Sequence, residues 1–373
     1  MRFRFLIAGA LGLSGVPAAA AVPDCPLARQ PYSIRSPMLD VMLNRRAKAA
    51  VDRIAPDLVT TLTRNFGGGD LPPGFAAITT PESFLRMRPD GAVLGRKLNA
   101  VLRQIPLTPQ AISARCARYD EVPPALPKKL GRPAILVFEK INGFRDDASV
   151  NAAHAALSAM GKRRGWSMVF SANGAVFNRR DLARFDAVVW NNISGDALTL
   201  PQRAAFKSWI EGGGGFAGVH GSGGDPVWFW DWYADTLVGA RFIGHPMSPQ
   251  FQAAKVIVSD APSGVTAGLP PSWTMTEEWY SFAASPRKTG AHVLARLDER
   301  SYSPVGLGGQ DLHMGDHPIA WTRCVGRGRS FYTAIGHRPE SYAEANSMRL
   351  LEQGIVWTAG LGPTRCRADR EVK

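Results

Sequence analysis

The sequence predicts a three-layer α/β/α sandwich around a mainly parallel sheet, with a helical region in front of it. Three observations predict this. The stretch 212–224 holds a short apolar run, 216–219, between two glycine-rich turns. A run so short and so bounded suits a central parallel strand covered on both faces. From Pro133 onward, apolar runs alternate with helix-patterned segments, the order of a parallel sheet with crossover helices. Late in the chain Gly326-Arg327-Gly328 separates two further apolar runs and predicts a hairpin.

The first residues predict processing rather than fold. Arg2 and Arg4 precede an apolar run over 5–16, followed by Pro17 and the small residues 18–21. This is the order of a secretory signal peptide cut after Ala21. The run is short of the ~20 residues that span a bilayer, and no later stretch suits a membrane helix. The expectation is a periplasmic or secreted protein. The 373 residues carry a formal net charge of +13, but Lys and Arg are scattered in short clusters. Solvated surface explains them better than a nucleic-acid partner does.

Residues 22–132 read as helical. Apolar spacing predicts a helix over 38–54 that starts at Ser36-Pro37 and continues over 57–65, a loop over 67–74, and helices over 81–87 and 92–105. Pro123, Pro124, Pro127 and Lys128-Lys129 make a linker. No metal spacing, nucleophile motif or phosphate loop occurs there.

Residues 133–360 form the expected α/β domain, and 361–373 a tail. Strands are predicted over 133–138, 167–170, 187–190, 216–219, 254–259, 292–297, 319–323 and 330–333. Helices are predicted over 148–161, 181–185, 200–211 and 340–359, with Thr199 capping the third and Pro201 in its first turn. Four cysteines in an exported chain suggest disulfides. They allow three pairings, among which sequence does not choose; proximity of elements favours Cys25 with Cys116 and Cys324 with Cys366.

Ligands of such sheets sit beyond the carboxyl ends of the strands. His220 is the first polar side chain past the end of 216–219. An ordinary turn histidine is the alternative reading.

The segments Gly143-Phe144-Arg145, 191–196 followed by Leu198-Thr199, 213–220, 239–246, 277–282, 316–321 and 326–337 resemble, in order and spacing, the ThuA-like family named for trehalose utilisation. The resemblance covers the chain from about 133 to 360. It implies a class I glutamine amidotransferase-like fold, flavodoxin-like in layout, and a role in carbohydrate metabolism, especially of disaccharides handled through 3-keto intermediates. The amidotransferase relatives place a cysteine at the strand-to-helix elbow. Here the elbow is Gly218-Val219-His220-Gly221-Ser222, without cysteine, so glutaminase chemistry is not expected. Ser222 does not match a nucleophile-elbow pattern.

Polar groups beyond the strand ends form the candidate site. Glu278, His220 and His245 are the candidate catalytic residues, and Arg145, Asp196, Trp279, Tyr280 and His337 the candidate substrate-binding ones. Adjacent carboxylates on a strand point opposite ways, so only one of Glu277 and Glu278 enters a given pocket, and the resemblance favours Glu278. A histidine commonly follows the arginine of Gly143-Phe144-Arg145 in the family. Here Asp146 stands there, followed by Asp147, which is read as the cap of the next helix. Asp196 either binds a sugar hydroxyl or holds its turn. His317 is read as fixing a loop.

Imidazoles and a carboxylate suit general acid–base work near neutral pH. They also suit a divalent metal, although no His-x-x-x-His or Cys-x-x-Cys spacing is present. Trp279 and Tyr280 are candidates for stacking on a sugar ring. The reading is an exported protein acting on a small-molecule sugar, as a hydrolase, lyase or isomerase. A carbohydrate-binding or protein-interaction module is the alternative.

Overall fold

The computed structural model describes residues 24–59, 73–259, 264–362 and 366. The expected signal peptide over 1–21, the helix continuation over 60–65, most of the 67–74 loop and most of the tail lie outside these residues.

The amino-terminal region is built of short helices with a small core of its own, in which Met38, Val41, Val51, Leu98 and Leu102 are buried together. The helix expected over 38–54 is broken in two, Met38–Leu43 and Arg45–Ile54, because the Asn44 side chain accepts from the N–H groups of Arg46 and Ala47 and caps the second. Pro73–Ile78, Pro81–Leu85, Gly91–Leu102 and Pro109–Cys116 follow. The first and the last of these were not foreseen; Thr108 caps the last and Pro109 opens it. Cys25 is bonded to Cys116.

Strands β1 (Ala134–Phe138), β2 (Ser167–Ser171), β3 (Ala187–Asn191), β4 (Gly215–Val219), β5 (Phe242–Gly244), β6 (Gln252–Val258), β7 (Ser272–Glu277), β8 (Ser281–Phe282), β9 (His292–Leu297), β10 (Pro318–Val325) and β11 (Gly328–Thr333) follow. Nine form one sheet in the order β2-β1-β3-β4-β11-β10-β9-β6-β7, and β5 pairs with β8 in a small ribbon. The run from β2 to β11 is parallel, and the pairs from β11 to β7 are antiparallel. The central parallel strands are buried at every position and apolar but for Asn191 at the end of β3, as strands covered on both faces must be. The hairpin β10–β11 is the one that Gly326-Arg327-Gly328 predicts. Strands β5, β7 and β8 were not foreseen. Each is short or of mixed polarity, and β7 lies on an edge.

Helices cover both faces. On one lie Asp147–Arg164 and Ala345–Thr358, joined where Arg163 and Arg164 meet Glu352. On the other, Leu200–Glu211 packs Phe206 against Trp190 and Phe216. That helix starts in a capping box of Thr199 and Gln202 with Pro201 in its first turn. Cys324 is bonded to Cys366, tying the chain end to β10. Among the described residues no helix is long and apolar enough to cross a membrane.

Candidate functional site

Four strand ends and the small ribbon meet at one edge. His220 follows β4, His337 follows β11, β4's parallel neighbour, and Asp146 lies beyond β1. Glu278 follows β7, five places from β4 in strand order, and the β5–β8 ribbon brings His245 beside it. The antiparallel half of the sheet therefore curls back over the carboxyl end of the parallel half.

His220 and Glu278 are each 2% exposed. Glu278 Oε2 lies 3.2 Å from His220 Nε2 and 3.1 Å from His337 Nδ1, and those two nitrogens are 3.1 Å apart. Glu278 Oε1 accepts from the Gln250 amide and lies 3.3 Å from His245 Nδ1. The four sequence-predicted residues His220, His245, Glu278 and His337 thus come together.

The outer partners fix the imidazoles. His220 Nδ1 is 2.7 Å from the carbonyl oxygen of Ala334, which can only accept, so the Nδ1 proton is donated there and in the neutral ring Nε2 presents a lone pair. His337 Nε2 lies 3.1 Å from Asp146 Oδ2, whose charge favours the proton on that nitrogen and leaves Nδ1 facing inward. His245 Nδ1 is 2.9 Å from the Pro246 carbonyl. Three donor atoms of His220, Glu278 and His337 therefore face one point, and this group can hold a metal ion.

The backbone is shaped for this. His220 has φ of +35°, uncommon for a residue with a side chain, and its carbonyl accepts from Tyr332 Oη at 2.9 Å. Gly336 has φ of +136°, and a Cβ there would come within 2.9 Å of Val219 and 2.7 Å of Tyr342. Only glycine lets the chain pass between them and present His337.

Burial alone would raise the Glu278 pKa, but when the inward nitrogens of His220 and His337 carry protons rather than face a cation, their hydrogen bonds and the nearby charge of His245 hold it well below the usual carboxylate range. Burial acts to lower the pKa of His337, yet the hydrogen bond and charge of Glu278, backed by Glu277 and Asp146, raise it overall.

Other sequence candidates lie elsewhere. Trp279 is fully buried and donates its indole N–H to the Gln252 carbonyl at 2.8 Å, so it is core and offers no face to a sugar. Tyr280 is a wall of the site, its ring 4.2 Å from that of His220 and 4.4 Å from Phe242. Arg145 turns to Asp147 at 2.5 Å rather than into the cluster. Asp196 holds its turn: one oxygen takes Arg203 at 2.6 Å and the other the Tyr119 hydroxyl at 2.8 Å. The helix cap is Asp146, not Asp147; Asp146 Oδ1 accepts from Ala148 N and Ser149 N while Oδ2 meets His337. Ser222 donates to the Trp190 carbonyl and is buried, away from nucleophile duty. His317 bridges Glu299 and the Tyr280 carbonyl, the loop-fixing role foreseen for it.

Gln250 and the half-exposed Phe251, whose ring lies 5.2 Å from that of His337, were missed. A polar and an aromatic residue in an irregular loop carry no sequence signal of their own.

The model of the ThuA family, described as trehalose utilisation, matches residues 134–358. Among solved structures, the chain is similar to one described as ThuA-like from Bacteroides uniformis, 24% identical, with a TM-score of 0.53 over 65% of this chain and 97% of that one. It is also similar to one described as ThuA-like from Parabacteroides merdae, 15% identical, with a TM-score of 0.46 over 64% and 92%. No curated protein matches the chain.

Proposed function

This chain belongs to the ThuA family, and on that premise we propose that it is an exported enzyme acting on a carbohydrate, an oxidised 3-keto glycoside being the substrate class. The convergence of His220, Glu278, His337 and His245 at the carboxyl edge of the sheet carries the proposal. A ketone on a sugar ring makes its neighbouring C–H acidic. Chemistry there needs a group that polarises the carbonyl oxygen and a group that moves a proton. The triangle of His220, Glu278 and His337, with a proton or a cation held among its inward atoms, supplies the first. His245, the more exposed imidazole of the set, supplies the second. Glu278 is less suited to proton transfer than the sequence suggests, because both its oxygens already face donors or imidazoles.

Turnover of a panel of 3-keto glycosides and their unoxidised parents tests this reading. Conversion of the keto sugars is expected, with Glu278→Gln and His245→Ala each reducing it by about 10²-fold or more. Binding of sugars without any conversion would sink the enzyme reading. The apolar leader and the two disulfides support export. The mature chain is then expected to begin near Val22, and secreted material retaining residues 1–21 by mass spectrometry would rule cleavage out.

A further inference from the structure

We infer that His220 Nε2, Glu278 Oε2 and His337 Nδ1 are the ligands of one divalent first-row transition metal ion, with zinc as the ion that fits. The inference deepens the proposed function, since it names that site's polarising group, yet it rests on geometry that does not involve the substrate.

The donor atoms form a nearly equilateral triangle with edges of 3.2, 3.1 and 3.1 Å. With metal–ligand bonds of about 2.0–2.1 Å, such edges subtend roughly 95–105° at a central ion, between octahedral and tetrahedral angles. With the outer nitrogens protonated, two neutral imidazoles turn lone pairs toward the carboxylate and repel it unless a proton or a metal ion lies among them. Their outer hydrogen-bonding groups point the same way. Ala334 O takes the far N–H of His220, Asp146 stands beside the far nitrogen of His337, and Gln250 donates to the other oxygen of Glu278. A carbonyl or carboxylate behind each ligating histidine is the arrangement that sets tautomer and ring orientation at metal centres.

The donor set selects the ion. Calcium and magnesium prefer all-oxygen sites, and the absence of thiolate from the triangle disfavours soft-metal and cluster chemistry. Three protein ligands leave a coordination position for a substrate oxygen. The partly exposed His337 and His245 mark the side from which ion and substrate enter.

The competing occupant is a proton on His337. To separate the two, the full chain is stripped with a chelator and titrated, in the absence of sugar, with zinc chloride against a chromophoric competitor and with cobalt chloride. One equivalent of zinc should bind, and cobalt should give visible absorption bands of a low-coordinate centre. His337→Ala and Glu278→Ala should weaken zinc binding by more than ~100-fold, and Asp146→Asn by about 10–100-fold. His154→Ala, whose ring lies against Glu139 outside the triangle, should leave it unchanged. Should an alanine variant fail to fold by thermal melt, Asp146→Asn and His337→Gln decide. Absence of stoichiometric zinc binding by the wild-type chain, or binding that survives loss of His337, overturns the inference. Zinc binding as expected with no sugar converted sinks only the carbohydrate reading. Sugar conversion by a chain that binds no zinc sinks only the metal.

Discussion

Glu277 and Glu278 are adjacent, yet their carboxylates serve opposite sides of the same wall. Glu278 Oε2 faces His220 and His337, whereas Glu277 Oε2 accepts from Gly336 N at 2.9 Å and from the Ser341 hydroxyl. Glu277 Oε1 also accepts from the backbone N–H of Glu278. Glu277 thereby clamps the turn that presents His337 to Glu278.

The two residues should separate by readout. Glu277→Ala leaves buried donors without partners, at about 1–3 kcal/mol for each such group. Urea denaturation should show a loss of roughly 2–4 kcal/mol. Glu278→Gln keeps the shape of the side chain, so it should cost less stability than Glu277→Ala while turnover falls. Equal stability of Glu277→Ala and the wild type would show that Glu277 does not brace this turn.

Asp196 gives a second contrast. Its carboxylate joins Arg203 of the α/β region to Tyr119 of the amino-terminal region, and Arg203 is itself mostly buried. Asp196→Ala should destabilise by about 2–4 kcal/mol through an uncompensated guanidinium and an unpaired hydroxyl. It should leave the apparent affinity for any converted sugar unchanged once the protein is folded. A weakened affinity with an unaltered melt would return Asp196 to the binding site.

These contrasts show which parts of the molecule are legible in sequence. The parallel strands β1, β3 and β4 are uniform apolar runs, and uniform burial leaves that mark. His220 is visible because it follows such a strand directly, and His337 because it closes the turn after the hairpin strand β11. Glu278 is harder to place, since β7 is an edge strand of mixed polarity whose end reaches the site only by the curl of the antiparallel half. Asp146 and Asp147 illustrate a different limit. Both can cap the helix, and the geometry of the preceding turn selects Asp146. Trp279 and Tyr280 alternate in direction along the chain, so one is core and the other wall, a distinction that depends on tertiary packing.

The disulfides carry a third prediction. Cys25–Cys116 closes a sequence separation of 91 residues and Cys324–Cys366 one of 42. Removing either by paired Cys→Ala substitution should lower stability by about 2–5 kcal/mol. Peptide mapping without reductant should recover these two pairs; crossed pairs or free thiols in secreted material would contradict them.

Asp225 makes stability depend on pH in a direction opposite to most carboxylates. Burial pushes its pKa up from 3.8 to about 7, against hydrogen bonds from Gly195 N, at 2.5 Å, and from the Ser194 hydroxyl. The folded protein therefore holds a proton that the unfolded chain releases. The contribution is fully present below the unfolded pKa and is lost as pH rises through the folded one. Each unit of that difference is worth about 1.4 kcal/mol, so up to roughly 2–3 kcal/mol is at stake between pH 5 and 7. Asp225→Asn has no such proton to lose. Urea denaturation of both proteins from pH 5 to 8 should show the variant gaining on the wild type as pH rises, with the gain levelling off above about pH 7. The comparison removes the background of other titrating groups, including His337, whose raised pKa acts in the same direction. A stability difference that is flat across this range would mean that Asp225 is ionised in the folded protein throughout. The loop of Ser194 and Gly195 would then be held by a buried charge rather than by a protonated carboxyl group.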